Sequence, residues 1–399
     1  KNYINDSLIE TTISRDIFVS NAKPSYVEIV LQQSNKQLDE VVVKIKPFTK
    51  TEESPLSLKT ISLVEIESSP GSNRDISKVI QSYPGVGSTP SFRNDVIIRG
   101  GGPSESRFFL DGVEIPNLNH FATQGASGGP VGIVNADLIS GVNFYSGAFP
   151  ANRGNALSGV FEFSQINGNK DRLKYKASIG ASELSLTFDG PVTDNSDFIF
   201  SFRRSYLQFL FSALGLPFLP TFNDYQLKYH YRKDNSNEFT LISIGAYDVN
   251  TLNTKIKNPT PEQEYILTYL PVNNQWTYTI GGVYKHYNKK SNHTLVLSRN
   301  MLNNENYKYP ENDESKPKIL DYTSQEIENK LRYEITSRIN NFKFIYGVAT
   351  ENASYSNNTN QQLYSSGTIK TITYDSKLNL QKYGAFVQAS SKWIDDRLT

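Results

Sequence analysis

With 399 residues the chain has room for two or more folding units, and its 41 basic and 40 acidic side chains leave a formal charge of +1, which gives no electrostatic footprint for nucleic acid. A hydrophobic content of 37% and a mean hydropathy of −0.47 argue against helical membrane spans, and no apolar run approaches the roughly eighteen residues that a spanning helix needs. The absence of cysteine excludes disulfides and thiolate metal sites.

The sequence starts at Lys1 without Met or a leader and reads as processed or truncated. Around residue 72 it becomes globular in character. Ser72-Asn73-Arg74-Asp75 predicts a helix start, with Asn73 as cap, Asp75 in the first turn, Ile76, Val79 and Ile80 on one apolar face, and Pro84 as the stop. Val96-Ile97-Ile98-Arg99 then runs into Gly100-Gly101-Gly102. The triple glycine lacks the Lys-Ser/Thr of a phosphate loop and reads as a tight turn. Phe108-Phe109-Leu110-Asp111-Gly112-Val113 predicts a hairpin, because Asp-Gly supplies the two positive φ angles of a type I′ turn. These elements make a small α+β unit.

From Arg172 onward the pattern changes to strand, turn, strand, long polar loop. Leu173, Tyr175, Ala177 and Ile179 alternate with Lys174, Lys176, Ser178 and Gly180. In Glu326–Ile335 the residues Ile327, Leu331, Tyr333 and Ile335 oppose Glu326, Glu328, Lys330, Arg332 and Glu334, with Asn329 alone breaking the apolar side. Similar runs begin near Phe198, Asp224, Phe239, Trp276, Leu295, Phe342 and Tyr383. Short turns at Lys233–Asn237, Asn288–Asn292 and Ser337–Asn341 take turns with long segments at Leu207–Thr221, Asn250–Asn273, Asn303–Leu320 and Asn357–Asn379. That rhythm is the sequence signature of an outer-membrane β-barrel, with short turns on the periplasmic side and long loops outside. The 24 Tyr and 22 Phe, together with Trp276, Tyr284, Tyr287 and Trp393 near strand ends, fit interfacial aromatic belts. Apolar Leu207–Leu214 predicts a short helix, over the pocket or packed on the barrel mouth or a partner.

Motif searches for chemistry are negative. His120, His230, His286 and His293 have no metal-ligand spacing, and Asp111 reads as a turn residue. The acidic run Glu311, Asp313 and Glu314 reads as a solvated loop, with a weak calcium site as the alternative. No catalytic residue, cofactor or metal site is expected.

Four segments in order, Pro84-Gly85-Val86, Ile98-Arg99-Gly100, Leu110-Asp111-Gly112-Val113 and Tyr145–Pro150 leading to Leu157-Ser158-Gly159-Val160, resemble the plug domain of TonB-dependent outer-membrane receptors, in the style of the Bacteroidetes group. Leu38-Asp39-Glu40-Val41-Val42-Val43 resembles their Ton box, and Tyr26–Leu31 resembles the last strand of the carboxypeptidase-regulatory-like β-sandwich that precedes it in such receptors. Arg153 departs from the aromatic residue often found there. The resemblance implies a mainly antiparallel membrane β-barrel with an α+β plug inside. Its expected boundaries are the end of the sandwich over 1–37, Ton box and linker over 38–48, plug over 49–166 and barrel over 167–399.

Size agrees with a longer whole. A plug of about 125 residues is roughly 35 Å across, whereas about ten strands close a cylinder of only about 20 Å and about twenty-two, the family's number, close one of about 45 Å. The chain is therefore expected to be the first part of a longer protein. The resemblance further implies import of a scarce or large ligand across the outer membrane of a Gram-negative bacterium. Asp39, Glu40, Val41, Val42 and Val43 would pair as a strand with TonB, energised by ExbB and ExbD. The positions matching the plug's apical loops, Arg93, Asn94, Asn119, His120 and Phe121, are the expected ligand contacts. Arg99, Gly100, Asp111 and Gly112 are its structural motif, and a surface lipoprotein lid is a further candidate partner. An outer-membrane scaffold that keeps the fold without transport is the alternative, and a soluble β-rich protein is disfavoured by the loop rhythm.

Overall fold

The computed structural model describes residues 3–4, 7–8, 58–69, 75–88, 93–123, 129, 131–180, 182–365, 367–391 and 393. The expected Ton box, the Tyr26–Leu31 strand, Asn73 and residues 89–92 lie outside these. Lys1–Lys46 forms a unit of its own, in which β1 (Tyr3–Ile4) pairs with β2 (Ser7–Leu8).

The second unit begins with β3 (Leu58–Ser62) and α1 (Leu63–Ser68), joined by a capping box in which Ser62 and Glu65 satisfy each other's backbone N–H groups. Helix α2 (Ile76–Gln81) follows. Its cap is Asp75, whose carboxylate accepts from the Ser77 N–H, so the helix starts two residues later than a cap at Asn73 would place it. The reason is that Asp75 also accepts from Asn94 Nδ2 at 3.1 Å and Gly132 N at 3.0 Å, so three segments share one carboxylate. Next come β4 (Val86–Gly87), β5 (Ile97–Ile98), β6 (Arg107–Leu110), β7 (Val113–Ile115), β8 (Ile139–Tyr145) and β9 (Val160–Gln165). The five-stranded sheet runs β3-β8-β9-β6-β7, with β6 parallel to β9.

Its core is aromatic: Phe144 and Phe161 stack with ring centres 4.5 Å apart, flanked by fully buried Ile61, Leu110 and Phe163. The Asp111-Gly112 hairpin has φ of 46° and 90°, the type I′ geometry expected. Arg99-Gly100 makes a second such turn, with φ of 50° and 79° and the Gly101 N–H donating to the Ile98 carbonyl at 2.9 Å. Gly159, from the last motif, lies against this turn so closely that a Cβ there would overlap Ile98 Cδ1. Segments about sixty residues apart are thus assembled into one knot of backbone.

The wall follows as ten antiparallel strands in chain order: β10 (Lys174–Ile179), β11 (Glu183–Thr193), β12 (Ser196–Ser205), then α3 (Leu207–Ala213), β13 (Phe218–Asp234), β14 (Asn237–Leu252), α4 (Pro261–Tyr269), β15 (Val272–Tyr287), β16 (Ser291–Lys308), β17 (Leu320–Ile339), β18 (Phe342–Ser365) and β19 (Thr368–Ser391). The sheet is open, since β10 and β19 are its two edges. Register shows two different faces. One outward rung reads Phe239, Tyr284, Leu295, Tyr333, Val348 and Ala385 across β14 to β19. Another, nearer the long loops, reads Asn274, Glu305, Thr323, Asn358 and Asp375 across β15 to β19. The first is a lipid-facing belt and the second lies above it in water.

Three expectations change. Strand β11 falls in a stretch that the sequence reading did not mark as a strand. The expected loops at Asn250–Asn273 and Asn303–Leu320 shrink to 253–271 and 309–319, because β14 and β16 run on to Leu252 and Lys308 and β15 starts at Val272. Asn357–Asn379 is not a loop: β18 and β19 are each 24 residues long and pair out to Ser365 and Thr368. Above the lipid both faces of a hairpin meet water, so the apolar alternation vanishes while the backbone ladder continues. Helix α3 forms as predicted and packs on the barrel mouth, with Phe211 edge-on to Phe218 at 5.6 Å.

Candidate functional site

The inward face of the wall is set by alternation. On β13 the residues Asp224, Gln226, Lys228 and His230 are all buried, each two residues from the next. The first three find partners on the plug, while His230 pairs with Asp197 and Glu238 of the neighbouring strands.

One of these contacts joins several charged groups around His120. Its ring nitrogens both face carboxylates, Nδ1 at 2.8 Å from Asp248 Oδ1 and Nε2 at 2.9 Å from Asp224 Oδ2, and the ring stacks on Phe222 with centres 4.1 Å apart. The Phe121 N–H donates to the other oxygen of Asp248 at 2.7 Å. Burial opposes a charge on His120, but the carboxylates of Asp248 and Asp224 outweigh it and hold the imidazolium up to about 9. Arg203 completes the cluster, its Nε donating to Asp224 Oδ1 and its Nη2 to the carbonyls of Gly132 and Ile133, each at 2.9 Å. Two cations and two anions therefore face one another inside the protein, with the Glu183 carboxylate at the edge, 3.5 Å from Arg203 Nη1. Gln275 Nε2 adds a bond to the Ala122 carbonyl at 2.6 Å.

Further from the long loops, Arg332 Nη2 donates to the Gly112 carbonyl at 2.9 Å and Lys228 Nζ pairs with Asp111 at 3.1 Å, so the Asp-Gly turn is itself a wall contact. Arg153 donates to Glu162 at 2.6 Å, lies 4.8 Å from the Phe109 ring centre and approaches Glu334 of β17 at 3.8 Å. The departure at Arg153 places a cation between plug and wall.

The other expected residues are distributed as follows. Arg93 is partly open and pairs with Asp95 at 2.6 Å. Asn94 and Asn119 are buried in the plug, where Asn119 accepts from Ser77 Oγ at 3.0 Å and donates to the Asn94 carbonyl at 3.3 Å. Phe121 is half-buried with φ of 53°. Arg99 reaches Ser146 at 3.4 Å, joining the second and fourth family-like motifs. His286 and His293 are cross-strand neighbours, and among the described residues no metal-binding cluster occurs. Asp224, Asp248, Arg203 and Gln275 were missed as site residues. The run Asp224-x-Gln226-x-Lys228-x-His230 marks a polar inner face on β13 but does not single out Asp224 as a partner of His120, and Arg203, Asp248 and Gln275 carry no such run.

Above this level the wall continues past the plug toward the long loops. One inward rung reads Asp248, Gln275, Asn304, Ser324, Asn357 and Ser376 across β14 to β19, and the next reads Asn250, Asn273, Asn306, Tyr322, Thr359 and Tyr374. The loops over it are tied together: Gln263 of α4 donates to the Gly215 carbonyl at 2.8 Å, and Asn253 Nδ2 to the Leu216 carbonyl at 3.0 Å.

An α+β plug clasped to the inside of an antiparallel wall with a lipid belt is the fold of the outer-membrane receptors of Gram-negative bacteria. Residues 50–160 match the family model described as TonB-dependent Receptor Plug Domain. Among solved structures the chain is similar to the outer membrane transporter YddB from Escherichia coli, at 11% identity and a TM-score of 0.57, covering 84% of this chain and 55% of that one. It is similar to the ferric enterobactin receptor PfeA from Pseudomonas aeruginosa, as a mutant, at 15% identity and a TM-score of 0.59, covering 85% and 55%. The siderophore receptor PirA from Acinetobacter baumannii gives 15% and 0.58, over 85% and 55%. The chain thus spans about half the length of the solved structures it matches. No curated protein sequence matches it.

Proposed function

We propose that the chain is the plug-bearing part of a TonB-dependent transporter that imports a scarce or large ligand across the outer membrane. The observation that carries this reading is the clasp at His120. It fixes the plug's apical segment to β13 and β14 under an open chamber, so the path is closed at rest and opening it requires work on the plug. Asp39–Val43 would supply the handle, pairing as a strand with TonB, which is driven by ExbB and ExbD. Of the apical loop residues, Arg93 and Phe121 retain partly open side chains and would meet the ligand, while Asn94, Asn119 and His120 would hold the loops that present them. The N-terminal residues would belong to a carboxypeptidase-regulatory-like extension of the Bacteroidetes kind, and a surface lipoprotein would cover the chamber. No step requires a catalytic group.

These 399 residues contain no cysteine, so with any cysteine in the rest of the full-length protein replaced by serine, Val42→Cys gives a unique thiol. In cells carrying the full-length protein and TonB with single cysteines in its periplasmic domain, a disulfide-linked pair should form and increase when ligand is present. No linkage at any TonB position, with both proteins abundant, would favour a scaffold without energised transport.

A further inference from the structure

We propose that the inward face of β15 to β19 above the plug is a binding surface for a neutral oligosaccharide; the proposal rests on the transporter reading for its biology but not for its test. The two chamber rungs carry amide, hydroxyl and phenol groups almost without interruption. The single charge in them, Asp248, is consumed by His120 and the Phe121 N–H. Nearby cations are consumed too. Lys308, above, donates to the Leu270 carbonyl at 2.9 Å and to Asn312 Oδ1 at 2.6 Å. Lys330, below, lies 2.9 Å from Glu114 and 2.8 Å from Glu328. The two rungs between hold Glu326, opposite Tyr355, and Glu328, opposite Ala353. An anionic chelate needs arginine or lysine in excess of the protein's own acids, and this wall offers none at that level.

What it does offer suits a polyol. Amides and hydroxyls both donate and accept, as each sugar hydroxyl does. They are already aligned with one another: Asn273 bonds Asn306 at 2.6 Å, and Asn357 donates to the Tyr355 hydroxyl of the rung below at 3.2 Å. Tyr322 hydrogen-bonds Tyr355 and Ser324, so ring and amide are held in one network. Tyr374, two rungs above Leu378, is 59% exposed on the same face and presents a ring to the C–H side of a sugar. The two rungs contain no aliphatic side chain; Leu302 and Leu378 lie in the rung below and Leu320 and Ile372 in the rung above, so an uncharged peptide is the competing ligand in the test.

The test is equilibrium binding to the full-length receptor in detergent, without TonB. The probes are an array of neutral oligosaccharides, an array of uncharged peptides, and ferric enterobactin. At least one oligosaccharide should bind, and Asn357→Ala and Tyr374→Ala should each weaken it at least tenfold. Tyr374→Phe, which keeps the ring, should bind within about threefold of wild type, and Tyr383→Ala on the lipid side should not change binding. Binding of ferric enterobactin or peptides in place of sugars, no sugar bound, or sugar binding untouched by both alanine variants overturns the proposal. Should sugar binding respond to these residues while uptake ignores Val42→Pro, the transporter reading fails and the wall assignment stands.

Discussion

Removing the His120 ring should loosen the plug's apical segment by an amount that can be worked out in two ways. His120→Ala leaves Asp224 and Asp248 facing one another across a dry gap, and breaking a buried charge pair from one side costs about 3–5 kcal/mol. Independently, a shift from the ordinary 6.5 to about 9 corresponds to roughly 3 kcal/mol favouring the charged ring in the clasped state. Because the clasped value is raised, this contribution is complete below pH 6.5 and is lost as pH rises through about 9. Arg203 stays charged throughout, so above that pH its single positive charge faces two carboxylates. The assay is amide hydrogen exchange of residues 118–123 and 131–134 in the full-length protein, corrected for intrinsic rate. At pH 7, His120→Ala should raise local opening about a hundredfold, the equivalent of roughly 3 kcal/mol. Wild-type protection should fall about tenfold per pH unit from about pH 6.5 and level off above about pH 9, and the variant should show no such decline. Wild-type protection that stays flat between about pH 6.5 and 9, or a variant as protected as wild type, would refute the assignment of a charged clasp.

Other consequences concern the wall and the plug's turn. Leu297→Arg puts a charge on the lipid face and should lower unfolding free energy by about 2–4 kcal/mol in vesicles, while Ser356→Arg, outward but above the belt, should cost about 0–1 kcal/mol; urea titrations of both test where the belt ends. Gly159→Ala forces Ile98 from its rotamer in the plug core and should destabilise the plug by about 1–3 kcal/mol, read as faster exchange at residues 97–101 with the barrel's own unfolding unchanged.

What the sequence made legible follows from where side chains meet different solvents. Leu173 to Ile179 and Ile327 to Ile335 alternate because one side meets lipid and the other water or plug, and Asp111-Gly112 declares its turn because φ must be positive twice. Above the lipid that contrast ends, so Asn357–Asn379 looked like loop although its strands are paired out to Ser365 and Thr368. The clasp had no local signature either. His120 lies 104 residues from Asp224 and 128 from Asp248, and only the closed register of β13 and β14 brings them together. A loop histidine alone is ordinary, and so is an aspartate on a barrel's inner face. The charge balance of the four groups becomes visible when the strands are placed. Asp75 in place of Asn73 as helix cap has the same origin, since its other partners, Asn94 and Gly132, are distant in the chain.

Energised import is tested most directly by uptake in the native bacterium with the full-length gene carrying Val42→Pro, which removes one strand-pairing N–H and leaves the wall untouched. With oligosaccharides, iron chelates, cobalamin and peptides offered in turn, the account predicts that uptake of one nutrient collapses while the receptor's abundance at the cell surface stays at the wild-type level. Uptake of every nutrient at wild-type rate, with the variant present in the outer membrane, would contradict it.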